Sequence, residues 1–146
     1  MAKRGPNPET VITNQIKGVL DLMRVEFFKH WSGAFSEKGV SDLVCTLRGG
    51  RSFYCEVKVP GKELTDEQEL FLARFNRAGA LVMKATSPRE VIHFLARHDY
   101  EPAKRLQAQL KPEDESIPPV QRKAHKKPAA GAQLPLHDPD EEGRLG

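Results

Sequence analysis

The sequence predicts one α/β (α+β) domain in the order α-β-β-β-α-β-α. Three observations carry it: an apolar helical period near the N-terminus, a Gly-Gly pair between two short apolar runs, and two cap signatures that open later helices. With 146 residues, there is material for one domain and a modest core. That domain is expected over residues 1–100. Residues 101–146 are expected to form a Pro-rich, charged and mostly disordered tail, because no aromatic residue follows Tyr100 and charge runs alternate without a period.

Val11, Ile12, Ile16, Val19, Leu20 and Met23 recur at three- and four-residue steps, so a helix with one buried face is expected from about residue 8 to about residue 24. Asn7 can cap it, Pro8 suits its first position, and Glu9 places an anion in its first turn. Val25 to Trp31 reads as a strand closed by Ser32-Gly33, with a loop to Gly39. Asp42 to Leu47 and Ser52 to Val59 are two further strands. The Gly49-Gly50 pair between them signals a tight hairpin, which makes them antiparallel neighbours. Pro60-Gly61 ends the hairpin. Thr65-x-x-Gln68 is a capping box for a helix with Leu70, Phe71, Phe75 and Ala78 inward and Gly79 as its stop. Ala80 to Ala85 is a short strand, and Ser87-Pro88-Arg89-Glu90 opens a last helix that ends near His98.

A net charge of +3 and a pI near 8.9 suit a nucleic-acid partner without indicating one. Cys45 and Cys55 show neither C-x-x-C nor histidine spacing, so reduced core thiols are expected in place of a disulfide framework or a zinc site. The basic start lacks the apolar run of a signal peptide, and no stretch approaches a membrane helix in length. A cytoplasmic, intracellular protein that meets no membrane is the expectation.

The chemistry sits in Gly39-Val40-Ser41-Asp42 and in Cys55-Glu56-Val57-Lys58. Strand alternation puts Glu56 and Lys58 on one face and Val57 on the other. Asp42 and Glu56 lie at comparable distances from the hairpin turn, so they are expected to face each other across neighbouring strands. Two carboxylates can hold Mg²⁺ or Mn²⁺, and Lys58 can orient or deprotonate a water or neutralise a phosphoryl transition state. An isolated E-x-K is a weak motif. Here it lies in a strand flanked by Phe53, Cys55, Val57 and Val59, where a stray charge would be costly unless partnered.

Gly39 to Asp42, Phe53 to Lys58, Leu64-Thr65-x-x-Gln68-x-x-Phe71 and Gly79 together resemble the VRR-NUC family of PD-(D/E)xK nucleases, over roughly residues 9 to 96. Ser41 stands where that family usually has Pro. The resemblance implies a restriction-endonuclease-like core. It implies a nuclease that cuts DNA with Mg²⁺ or Mn²⁺, leaves a 5′-phosphate, and is of the stand-alone phage and bacterial kind, in the host cytoplasm if phage-encoded. It further implies endonucleolytic, structure-selective cutting of the Holliday-junction-resolvase type, for which a homodimer is the natural assembly. The catalytic set would be Asp42, Glu56, Lys58 and Gln68, with Asp42, Glu56 and Glu9 as metal ligands. Lys29, Ser32 and Lys62 would contact nucleic acid.

Bland readings compete for several of these residues. Glu9 serves equally as a helix-start anion, Gln68 as a capping residue, and Lys29 as a solvent-facing cation. Trp31 is read as core or loop packing ahead of a base-stacking platform, and Arg122 to Lys127 as a solvated run ahead of a nucleic-acid contact. The alternative function is a non-catalytic DNA-binding accessory protein on the same fold.

Overall fold

The computed structural model describes residues 4–112. The chain runs α1 (Pro8–Leu22), β1 (Glu26–Lys29), β2 (Leu43–Thr46), β3 (Ser52–Val57), α2 (Asp66–Arg77), β4 (Leu81–Ala85), α3 (Pro88–Arg97) and α4 (Glu101–Gln109). The expected order holds through α3. The strands form one sheet in the order β1-β2-β3-β4, antiparallel except for the parallel β3–β4 pair.

Local sequence explains most boundaries. Asn7 Oδ1 accepts the Glu9 N–H, with Pro8 at the first turn. The helix ends at Leu22, short of the expected residue 24, because Arg24 turns left-handed (φ 57°) and the Val25 N–H closes back onto Leu20 O. Gly49 and Gly50 both carry positive φ, 99° and 93°, a pair of angles that two consecutive glycines reach without strain. That turn sets the β2–β3 register, Leu43 opposite Cys55 and Cys45 opposite Phe53.

Alternation along the strands then divides the sheet into two faces. Leu43, Cys45, Phe53, Cys55 and Val57 are buried in the main core with Ile16, Val19 and Leu20 of α1 and Val91, Ile92 and Leu95 of α3. Both cysteines are unpaired, and burial pushes the Cys45 thiol up to about 12. The opposite face carries Tyr54, whose ring meets Phe71 and Phe75 of α2 at 5.6 and 4.6 Å.

Two expectations need correction. The folded unit does not stop at residue 100: α4 occupies Glu101–Gln109, where a disordered tail was expected, and packs on α3. Ala103 is fully buried, Leu106 and Leu110 pack on the core, and the Tyr100 hydroxyl donates to Met23 O at 2.7 Å. Pro102 reads as a breaker in isolation, but at a helix start its missing N–H costs nothing. Trp31 is not core; it is 76% exposed on the loop after β1. The expected tail beyond residue 112, with its basic run, lies outside the described residues.

Candidate active site

The β2–β3 ladder ends at Leu43 and Cys55, and one residue beyond it the backbone is held by carboxylates in place of carbonyls. The Asp42 N–H donates to Glu56 Oε2 at 3.1 Å, and the Val57 N–H donates to Asp42 Oδ2 at 2.9 Å. Each acid thus caps the other's strand, which orients both. Asp42 is half-buried, while Glu56 is only 2% exposed.

Around Glu56 the donors are dense. Lys58 Nζ lies 3.5 Å from Oε1, and the Lys58 backbone N–H is anchored on Ala85 O of β4. Gln68 Nε2 donates to the same Oε1 at 2.6 Å. Gln68 also completes its capping box, with Oε1 accepting the Thr65 N–H and its own N–H donating to Thr65 Oγ1. Gln68 thus caps its helix and, with the amide fixed by that cap, turns its NH₂ to Glu56. Burial, and then the neighbouring Asp42 charge, push the Glu56 carboxyl up to about 7 against the opposing pull of Lys58.

The entry to this group is built by the loop before β2. Gly39 has φ 81°, and a Cβ there would fall 2.3 Å from Glu67 O, so only glycine lets the loop lie against the start of α2. Ser41, in the place of the family's Pro, is fully buried and donates to Leu43 O at 3.3 Å. A cleft of about 430 Å³ results, walled by Ser32, Gly33, Lys38, Asp42, Thr65 and Gln68 among others. A larger hollow of about 620 Å³, lined by Arg24, Glu26 and Arg48 among others, holds none of the candidate residues.

The remaining expected residues lie around this group. Ser32 lines the cleft, whereas the Lys29 ammonium lies over the Trp31 ring, 4.4 Å from its centroid. Lys62 is exposed, with Nζ 4.0 Å from Glu9 Oε2. Among the described residues no three Asp, Glu, His or Cys side chains gather as a cation site. The pair is nonetheless chemically suited to Mg²⁺, which takes one or two carboxylates and keeps several waters. The two carboxyls also lie within side-chain hydrogen-bond reach of each other, close enough to share one cation. Lys38 and Phe35 in the loop were not singled out from sequence. The available signal was an aromatic residue in a Gly/Ser loop with no apolar period to place it in the core.

A mixed sheet between helical layers, with an Asp and a Glu-x-Lys meeting at adjoining strand ends, defines a nuclease-type domain of the PD-(D/E)xK class. The VRR-NUC domain model matches residues 14–89, and the chain belongs to the VRR-NUC family. A solved structure described as a VRR_NUC domain is similar in fold, with a TM-score of 0.55 and 21% identity over 64% of this chain and 99% of that one. No curated protein matches. Asp42, Glu56, Lys58 and Gln68 fall inside the matched residues and Glu9 outside them.

Proposed function

We propose that this protein is a metal-dependent DNA endonuclease. Asp42 and Glu56 would hold Mg²⁺ or Mn²⁺, which when bound supplies an activated water and offsets charge on the phosphate. Lys58 orients or deprotonates that water or neutralises the transition state, while Gln68 holds the Glu56 carboxylate in place. Hydrolysis leaves a 5′-phosphate and a 3′-hydroxyl. The observation that carries this reading is the convergence of Asp42, Glu56, Lys58 and Gln68 through mutual hydrogen bonds at the rim of an open cleft. Symmetric, resolvase-like cutting of junctions by a homodimer in the cytoplasm extends the same proposal.

The test incubates the full chain with supercoiled plasmid and with a four-way junction in Mg²⁺, Mn²⁺ or EDTA, beside Asp42→Ala. Cleavage that needs metal and falls on the order of 10³-fold in the variant is expected, since the metal contribution is worth several kcal/mol. Metal-independent binding without cutting, indifferent to the substitution, would instead identify a DNA-binding accessory protein.

Gln68 offers a finer check, because its two duties separate. Gln68→Glu keeps an acceptor for the Thr65 N–H but replaces the donor to Glu56 with a second carboxylate beside Oε1. Its thermal unfolding in EDTA is expected to come at a lower temperature than wild type, from like-charge repulsion with Glu56, and cleavage to slow about 10- to 100-fold, the usual cost of losing a residue that orients a metal ligand. Gln68→Ala should lose about 1 kcal/mol of stability as well. A Gln68→Glu enzyme as fast as wild type would reduce Gln68 to a helix cap.

A further inference from the structure

We propose that the loop between β1 and β2 presents Trp31 and Phe35 as stacking rings for unpaired bases of the substrate, beside the Asp42–Glu56 site. This rests on the nuclease reading and narrows its substrate to DNA with unpaired nucleotides near the cut. Phe35 is fully exposed, Trp31 is 76% exposed and Phe28 60%, three large apolar groups in one short stretch. Phe28 pairs with Val44, which places it on the same sheet face as Asp42, two residues along β2.

The loop holds these rings outward. The Ser36 N–H donates to Gly33 O at 3.1 Å, and the Gly33 N–H donates to Ser36 Oγ at 2.8 Å, closing a turn with Phe35 at its tip. Glu37 pairs with Arg74 of α2 at 3.3 Å, Gly39 packs on the Glu67 backbone, and the His30 N–H donates to Asp42 O at 2.8 Å. The loop is thus pinned at both ends; Ser32 to Ala34 and Ser36 to Val40 wall the cleft that contains Asp42 and Gln68, while Phe35 stands out of that wall into solvent.

Charge decides the occupant. The Lys29 ammonium sits over the Trp31 ring, and Lys38 stands in a cleft wall that also carries Glu37, paired with Arg74, and Glu67 beside Asp42, so Lys29 lies on the ring side of the loop and the acids toward the proposed metal site. An apolar protein partner would have to desolvate those cations, whereas a nucleic-acid strand brings phosphates to them and bases to the rings. Bases inside a duplex are already stacked on each other. The rings therefore engage unpaired or splayed ones.

Trp31 is the only tryptophan in the chain, so intrinsic emission reads its environment directly. The full chain in EDTA is titrated with a single-stranded oligonucleotide, a blunt duplex of the same sequence, and a duplex bearing a single-stranded flap. Strong quenching by the first and third, with little by the blunt duplex, is expected. Phe35→Ala should weaken single-strand binding about 10-fold, the scale of one base–aromatic stack. Unchanged emission with all three probes, or equal quenching by the blunt duplex, overturns the proposal. So does a shift that follows protein concentration with dimerisation seen by sedimentation, which would assign the rings to a second copy. Parallel cleavage assays in Mg²⁺ keep the two readings apart: cutting without an emission response defeats only the stacking loop, and an emission response without cutting supports it while defeating the nuclease.

Discussion

Lys58→Met is expected to lower metal-dependent DNA cleavage by about 10²- to 10³-fold with the fold intact, the range found when one positioned proton-transfer or charge-stabilising group is removed. Lys58 is 7% exposed, and its ammonium lies 3.5 Å from Glu56 Oε1. Met keeps an unbranched apolar stem of similar reach and leaves the backbone bond to Ala85 O untouched, so packing survives. Two losses add in the site. The group that handles the water or the transition state is gone, and Glu56 loses the one neighbour that pulls its carboxyl pKa down through charge attraction. Glu56 then ionises less readily and competes less well for the cation. Single-turnover cleavage at saturating Mg²⁺ measures the first loss, and the Mg²⁺ concentration needed for half-maximal rate measures the second. A Lys58→Met protein that cuts within about threefold of wild type would remove Lys58 from the chemistry, given the size such groups normally carry.

The second large effect is one of stability. The Glu56 carboxyl is raised from 4.5 to about 7 in the folded protein, by burial first and the Asp42 charge second. A raised acid favours the folded state when protonated. Its contribution is fully present below pH 4.5, the unfolded value, and is lost as pH rises through 7. At 1.36 kcal/mol per unit the amount is on the order of 3 kcal/mol. Urea unfolding in EDTA at pH 4 and pH 8 should show wild type losing that much relative to Glu56→Gln, which has nothing to ionise there. Identical pH dependence in the two proteins would show that Glu56 titrates normally. Mg²⁺ should reverse the trend, because the cation needs the ionised carboxylate and its binding releases the proton. The site is therefore costly to keep charged by itself, a cost that a bound cation would relieve.

Much of this was legible beforehand wherever a local pattern determines the outcome. The periodicity of α1, the Thr65–Gln68 box and the glycine turn each act over a few residues; the three-residue loop Arg48-Gly49-Gly50 between Leu47 and Arg51 sets the register that brings Asp42 and Glu56 to adjoining positions. Helix α4 was missed for the same reason in reverse. Its stability comes from Ala103, Leu106 and Tyr100 packing onto a core built by residues far away in sequence, which a Pro-containing polar segment does not advertise.

The sequence by itself determined the order of elements through α3 and the antiparallel pairing of the strands that carry Asp42 and Glu56, because turn signals and side-chain alternation are local. Only the tertiary structure decided that Gln68 caps its helix and binds Glu56 at once, and that Trp31 and Phe35 face solvent beside the cleft. These depend on how α2 and the loop before β2 lie against the sheet, and that placement is set by burial and by the close approach of Gly39 to Glu67, which no short-range pattern encodes.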